Sequence, residues 1–250
     1  MQNLHISLFL CKGNKKLHKK CRFFVFFCIF AQKSSIKYIF LEVVQNMSEI
    51  NEYRKELKCR IVDYAMGEFY KRGIKAVKMD EISQGLHVSK RTVYEIFGDK
   101  EELLLAGLKE KNLRMRQKME KYACDEAHNV IDVLGYFYKL QMELNGMVGV
   151  SFYEEIHRMP RVLQYLKEEH DRDYEDRIKF MEVGIKEGLF RSDINYKLTL
   201  EIINVSMKEI MHLQLYKENS MQTIFDNYFL VIIRGICTER GVALLNKAIE

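Results

Sequence analysis

The sequence contains one proline and no tryptophan in 250 residues. Proline interrupts helix interiors and central strands alike, so its near absence, with few glycine-rich turns, leaves room for long helices. No stretch reaches the roughly 20 apolar residues that a membrane-spanning helix needs; the run 23–31 stops at nine. The cysteines are scattered singly, at Cys11, Cys21, Cys28, Cys59, Cys124 and Cys237, with no C-x-x-C pair. That excludes a zinc-ligand spacing and points to free thiols in a reducing cytoplasm. There is no Gly-x-Ser-x-Gly, no glycine-rich phosphate loop and no recognisable carboxylate pair, so no catalytic residue and no cofactor is expected. Two acidic groups carry a histidine, Glu154-Glu155 with His157 and Glu169-His170 with Asp173. Neither has the His-Glu-x-x-His spacing, so both read as solvated helix faces rather than metal sites. Internal repeats and low-complexity segments are absent as well.

What is present is a dense run of start and stop signals over residues 79–103. Ile82 and Leu86 stand four apart on one helical face. A turn follows at His87-Val88, and Ser89 is a natural N-cap for a second helix. Val93, Ile96 and Phe97 form the apolar face of that helix, which leaves Lys90, Arg91, Thr92 and Tyr94 as a face of hydrogen-bond donors. Gly98 stops it, and Asp99 with Glu102 three residues on forms a capping-box pattern for a third helix. Two short helices around a tight turn, the second rich in donors, are the pattern that places a recognition helix in the DNA major groove.

Residues 88–97, Val-Ser-Lys-Arg-Thr-Val-Tyr-Glu-Ile-Phe, followed by Asp99-Lys100-Glu101-Glu102-Leu103, resemble the signature of TetR/AcrR-type bacterial transcriptional regulators. The resemblance extends upstream through Arg60-Ile61-Val62 and Phe69 to Gly73. It implies an all-α fold: an N-terminal trihelical helix-turn-helix domain and a C-terminal helical domain for effector binding and dimerisation. By the same resemblance Thr92, Tyr94 and Lys100 position the DNA backbone. Ser89, Lys90 and Arg91 complete the expected DNA-binding set. Two positions depart from the family pattern. Lys78 stands where Thr or Ser commonly caps the first of the two helices; it cannot cap, but it can reach a phosphate as a point charge. His87 stands where glycine is common, at a turn position that favours positive φ, and predicts modest strain.

Charge does not support DNA binding as directly as the net +5 suggests. Residues 1–46 hold eight of the forty Lys and Arg but one of the thirty-five acids, so the remainder of the chain carries 32 basic and 34 acidic residues. Any basic footprint must therefore be local. A basic cluster at 15–22 precedes the apolar run 23–31, the order of a signal peptide or a membrane-contacting extension. The preferred reading is that 1–46 is translated upstream sequence or a disordered leader and that the protein proper starts at Met47, where Met47-Ser48-Glu49 opens a helix. The expected division is then 47–104 for DNA binding and 105–250 for effector binding and dimerisation.

In the first part Leu57, Ile61, Tyr64, Ala65 and Phe69 recur at helical spacing. From Lys100 a long helix is expected to about Tyr122, with Leu104, Leu108 and Met115 or Met119 inward and a solvated face holding Lys109, Lys111, Arg114, Arg116 and Lys118. Farther on, Pro160 suits the first turn of a helix expected to run to Gly188. The expected last helices, near 198–216 and 221–238, are apolar on more than one face, and a helix apolar all round is buried all round. Their second face is assigned to another copy of the protein, through Ile203, Met207, Ile210, Phe229, Ile232 and Ile233. Phe137, Tyr138, Tyr174, Phe180 and Met181, with His157 or His212 as polar contact, are candidates for an effector pocket, though each alone reads first as packing. The expected partners are double-stranded DNA, a small-molecule effector and a second copy, with no membrane. The rival reading is a helical interaction or adaptor protein that keeps the trihelical unit as scaffold.

Overall fold

The computed structural model of the chain describes residues 34–250 except 126, with side chains from Asn51 onward. The basic cluster and apolar run expected to form a leader lie outside the described residues. Among those residues there are eleven α-helices and no strand; Phe190 and Cys237 form an isolated antiparallel bridge. The helices are α1 (Ser34–Arg72), α2 (Met79–Gly85), α3 (Lys90–Phe97), α4 (Lys100–Ala123), α5 (Val130–Met147) and α6 (Val150–Ile156). Then come α7 (Pro160–Arg172), α8 (Tyr174–Lys186), α9 (Tyr196–His212), α10 (Met221–Ile236) and α11 (Glu239–Ile249), with a 3-10 turn at Leu215–Lys217. No described helix is long and apolar enough to cross a membrane.

The chain divides into two compact units, residues 1–58 and 59–250. The described part of the first is one stretch of α1, which passes through 46–47 without a break. The helix start expected at Met47-Ser48-Glu49 is thus not observed, because neither proline nor glycine interrupts residues 34–48.

From Cys59 onward α1 buries Ile61, Val62, Ala65, Met66 and Phe69. Tyr64, expected inward, lies at the edge and packs its hydroxyl against Gly85, where a Cβ would collide with it. The interior continues through Ile74, Val77, Ile82, Val93, Phe97, Leu103 and Leu104. Met66 packs where a Cβ on Gly107 would stand, so α4 crosses α1 closely at that glycine. Since α4 runs uninterrupted through 104–105, the expected DNA-binding and effector parts share one helix.

A second core gathers Val130, Ile131 and Leu134 of α5 with Met181, Leu189, Phe190, Tyr196, Leu200, Ile233, Ile236 and Leu245. Here the structure departs from expectation twice. The helix begun by Pro160 ends at Asp173, and α8 starts anew. At that break the Arg177 guanidinium donates to the His170 carbonyl and meets the His170 ring, and it also reaches the Asp173 carbonyl, which accepts the Arg177 backbone N–H as well. On α7 Leu163 is exposed while Val162 and Tyr165 are buried. The other departure is α11, which the sequence reading omits. Thr238 caps it by accepting from the Gly241 N–H, and its Ala248 packs directly over Gly135 of α5.

Candidate nucleic-acid interface

The geometry of the α2–α3 pair follows from its capping residues. Lys78 occupies the N-cap position of α2 and makes no side-chain cap bond, as a lysine must. The turn after α2 places His87 at φ 56°, the left-handed region, and closes with the Val88 N–H donating to the Ser83 carbonyl at 3.0 Å. Ser89 then caps α3: its Oγ accepts the Thr92 N–H at 3.0 Å and meets the Thr92 hydroxyl at 2.7 Å. Gly98, at φ 65°, ends α3. Asp99 caps α4 by accepting the Glu102 N–H at 2.7 Å, but the reciprocal half of the expected capping box does not form. The Asp99 N–H turns to the Phe97 carbonyl, and the Glu102 carboxylate lies over Gly98.

Val93 and Phe97 are buried, so the opposite side of α3 faces outward with Lys90, Arg91 and Tyr94 exposed and Thr92 half-buried. The two cations are held in readiness by carboxylates. Lys90 Nζ lies 2.8 Å from the Asp80 carboxylate across the turn and 5.8 Å from the Tyr94 ring centroid. The Arg91 guanidinium donates to Glu95 at 2.7 Å, one helical turn on. Each ion pair holds its cation above the usual range. Such exposed pairs contribute little to stability. Asp80 and Glu95 were not legible as parts of this face, because their role depends on rotamers.

Lys100 differs from its expected role. Its ammonium turns inward, donating to the carbonyls of Ile74 at 2.7 Å and Val77 at 2.9 Å. Partial burial holds its pKa below the usual lysine value, with Glu155 and Glu81 opposing that shift. The side chain therefore staples the α1–α2 connection, and its backbone N–H stands in the first turn of α4. The same connection is held from below by α6. Glu155 accepts the Lys75 N–H at 2.7 Å, the Gly149 N–H donates to the Tyr70 carbonyl at 2.8 Å, and Gly73 packs so near Ser151 that a Cβ would come within 2.9 Å.

The residues expected to line an effector pocket do not meet as one wall. Phe137 and Tyr138 pack on Phe225 and Phe229, with the Tyr138 hydroxyl donating to Asp226 at 2.5 Å. Met181 is core, and Tyr174 and Phe180 pack against it. His157 instead ends α6, with its Nε2 buried and unpartnered, and His212 is exposed. An open groove of about 480 Å³ between α4 and α7, lined by Lys109, Arg116, Arg161 and Glu169 among others, includes none of these residues. The acid groups near the histidines are engaged in pairs: Glu154 with Lys217, Glu169 with Arg116 and Arg172, and Asp173 with Arg116. Arg116 is thus drawn into these pairs, and Arg114 into Asp63 and Glu110, rather than being simply solvated.

Among the residues assigned to a partner copy, Ile233 is buried in the chain's own core, with Ile203 and Phe229 packed against that core. The physical reason is α11, whose Leu245 joins the same core beside α10. Met207, Ile210 and Ile232 are half-buried. Exposed apolar side chains on these two helices are Leu198, Ile202 and Val205 of α9 and Val231 of α10.

Residues 61–106 match the sequence model described as bacterial regulatory proteins, tetR family. No curated protein matches the chain. Similar solved structures include a transcriptional regulator from Saccharomonospora viridis in complex with choline, 17% identical, covering 74% of this chain and 100% of its own, with a TM-score of 0.58. A TetR-family regulator from Agrobacterium tumefaciens is 13% identical over 74% of this chain and 100% of its own, TM-score 0.57. The TetR-family protein CprB from S. coelicolor A3(2) is 16% identical over 78% and 98%, TM-score 0.54. Residues 61–106 thus match a tetR-family regulatory domain, and the described helices have the fold of these regulators.

Proposed function

We propose that the protein is a cytoplasmic, ligand-responsive repressor that binds a pseudo-palindromic operator as a homodimer. The observation that carries this reading is the outward face of α3, where Lys90, Arg91, Thr92 and Tyr94 stand over the buried Val93 and Phe97. Lys90 and Arg91 supply phosphate and base-edge contacts as they leave Asp80 and Glu95, Thr92 and Tyr94 position the backbone, and Lys78 adds a point charge at the start of α2. Ser89 and Lys100 hold the geometry, one as cap and the other as staple.

The dimer reading is supported by the stripe of Leu198, Ile202 and Val205, spaced four and three apart on α9, and by Val231 on α10. The two helices are neighbours, with the Tyr228 hydroxyl donating to the Ile203 carbonyl. Exposed apolar side chains gathered on adjacent helices mark an interaction surface, and a two-fold copy of the same surface covers it symmetrically. Met207, Ile210 and Ile232 flank it. A neighbour solved with choline supports a small molecule as the class of effector, without transferring its identity. Effector binding favours a dimer whose recognition helices no longer match the operator spacing, with reciprocal coupling between the two ligands.

The test is a gel shift with the DNA upstream of the protein's own gene, using the wild type and an Arg91→Ala, Tyr94→Ala double variant. The wild type is expected to shift a discrete site and the variant to lose most of that affinity. An adaptor that keeps the unit as scaffold predicts no shift at low salt for either protein.

A further inference from the structure

Three polar atoms at the junction of α1, α5 and α6 are fully buried and lack a hydrogen-bond partner: the Tyr70 hydroxyl, Asn145 Nδ2 and His157 Nε2. Leaving such a group unpaired costs about 1–3 kcal/mol, and folded proteins seldom leave several together without a purpose. The Lys111 ammonium, enclosed by protein although the side chain is partly exposed, lies 6.0 Å from the centroid of the Tyr70 ring. No acid offsets its burial, which pushes its pKa down to about 8. The carboxylates of α6 are engaged elsewhere, Glu154 by Lys217 at 2.8 Å and Glu155 by the Lys75 N–H.

Ring contacts run from Tyr70 to Tyr216 past these groups. Tyr70 meets Phe152 edge-on at 4.9 Å, Phe152 meets Tyr153 at 6.1 Å, and Tyr153 meets Tyr216 at 5.9 Å. The Tyr153 hydroxyl reaches Asn145 Oδ1 at 3.4 Å, leaving the amide nitrogen unused. His157 follows Tyr153 by four residues at the end of α6, on the same side of that helix. Operator contact and core packing call on none of these polar atoms.

Every unused group here can donate, and the one charge is positive. We infer that the effector is a small carboxylic acid, its carboxylate taken by Lys111, Tyr70, Asn145 and His157, and its apolar body laid against Phe152, Tyr153 and Tyr216. This rests on the reading of the protein as effector-responsive. A single lysine without an arginine fork matches one negative charge, whereas a phosphate dianion would leave a buried charge unanswered. Rings at these separations leave room for a guest only as α6 gives way. Because α6 holds Lys75 and packs on Gly73, its displacement reaches the α1–α2 connection that Lys100 staples.

The experiment is isothermal titration calorimetry of the full chain without DNA, using benzoate, phenylacetate and octanoate against benzamide, phenylacetamide and octanamide. At least one carboxylate should bind at least about tenfold tighter than its amide, the size expected for losing one charge-assisted bond. Lys111→Met should remove that preference. Tyr70→Phe, which keeps the ring and so the packing, should weaken carboxylate binding as well. Acid and amide binding alike, no carboxylate binding at all, or an unchanged preference in Lys111→Met would overturn the inference. Because no DNA is present, a negative result here leaves operator binding to be judged by its own gel shift.

Discussion

Lys100 and Arg91 lie nine residues apart and carry the same charge, yet their surroundings assign them opposite kinds of work. Lys100 donates to the carbonyls of Ile74 and Val77, whereas Arg91 projects into solvent and pairs with Glu95. Lys100→Met is therefore expected to destabilise the fold by about 1–2 kcal/mol, since bonds from a charged donor are lost and two carbonyls are left without it. Arg91→Ala should leave the melting temperature unchanged and lower the slope of log affinity against log salt by about one. Thermal melts beside a salt titration of operator binding separate the two. Lys111 provides a third contrast. Its folded pKa of about 8 lies below the ordinary lysine value of 10.5, so the folded state binds fewer protons than the unfolded between those pH values. The burial penalty is fully present below pH 8 and is relieved as pH rises toward 10.5. Lys111→Met should accordingly melt higher than wild type at pH 7, and the gap should narrow by pH 10. Taking the difference between the two proteins cancels the tyrosines, whose burial raises their own values, Tyr153 to about 12. His87 at φ 56° predicts the reverse kind of gain: His87→Gly should stabilise by up to about 1 kcal/mol, measured by denaturant unfolding.

At the scale of elements, the helix-turn-helix could be read from the chain because its signals are local. Ser89, Gly98 and Asp99 act on neighbours within three or four residues, and the structure places each where the pattern puts it. The inward turn of Lys100 was hidden, because its carbonyl partners lie 23 and 26 residues upstream and no spacing rule connects them. The break at Asp173 was hidden for a similar reason: the apolar spacing on either side continues, and only the reach of Arg177 back to His170 marks the end of α7. Omitting α11 had the widest consequence. With no final helix to cover it, the second apolar face of α10 had to be given to a partner copy, and Ile233 went with it. Leu245 shows what that face meets, being fully buried in the same core. Leu245→Ala should cost about 2–4 kcal/mol by denaturant unfolding, the range for deleting a buried leucine side chain. If α11 were an ornament, the loss would be near zero.

For the whole molecule, the two ends of the second unit supply different halves of a regulator. On the proposed reading the outward donor face of α3 meets one half-site, and the apolar stripe on α9 joins two copies. Ile202→Glu places a charge in the middle of that stripe and should yield a monomer in sedimentation analysis, with operator affinity falling together with dimerisation. Between the two ends, α6 touches both Lys75 and the cluster around Tyr70, so ligand and operator have a contact to share. The central claim is that two α3 helices read one symmetric site, and footprinting on the DNA upstream of the protein's own gene tests it most directly. The account predicts two protected half-sites on one face of the duplex, their centres one helical turn of about 34–36 Å or a multiple apart, and protection that vanishes in the Arg91→Ala, Tyr94→Ala variant. No protected site at low salt, or protection that the variant retains in full, would contradict it.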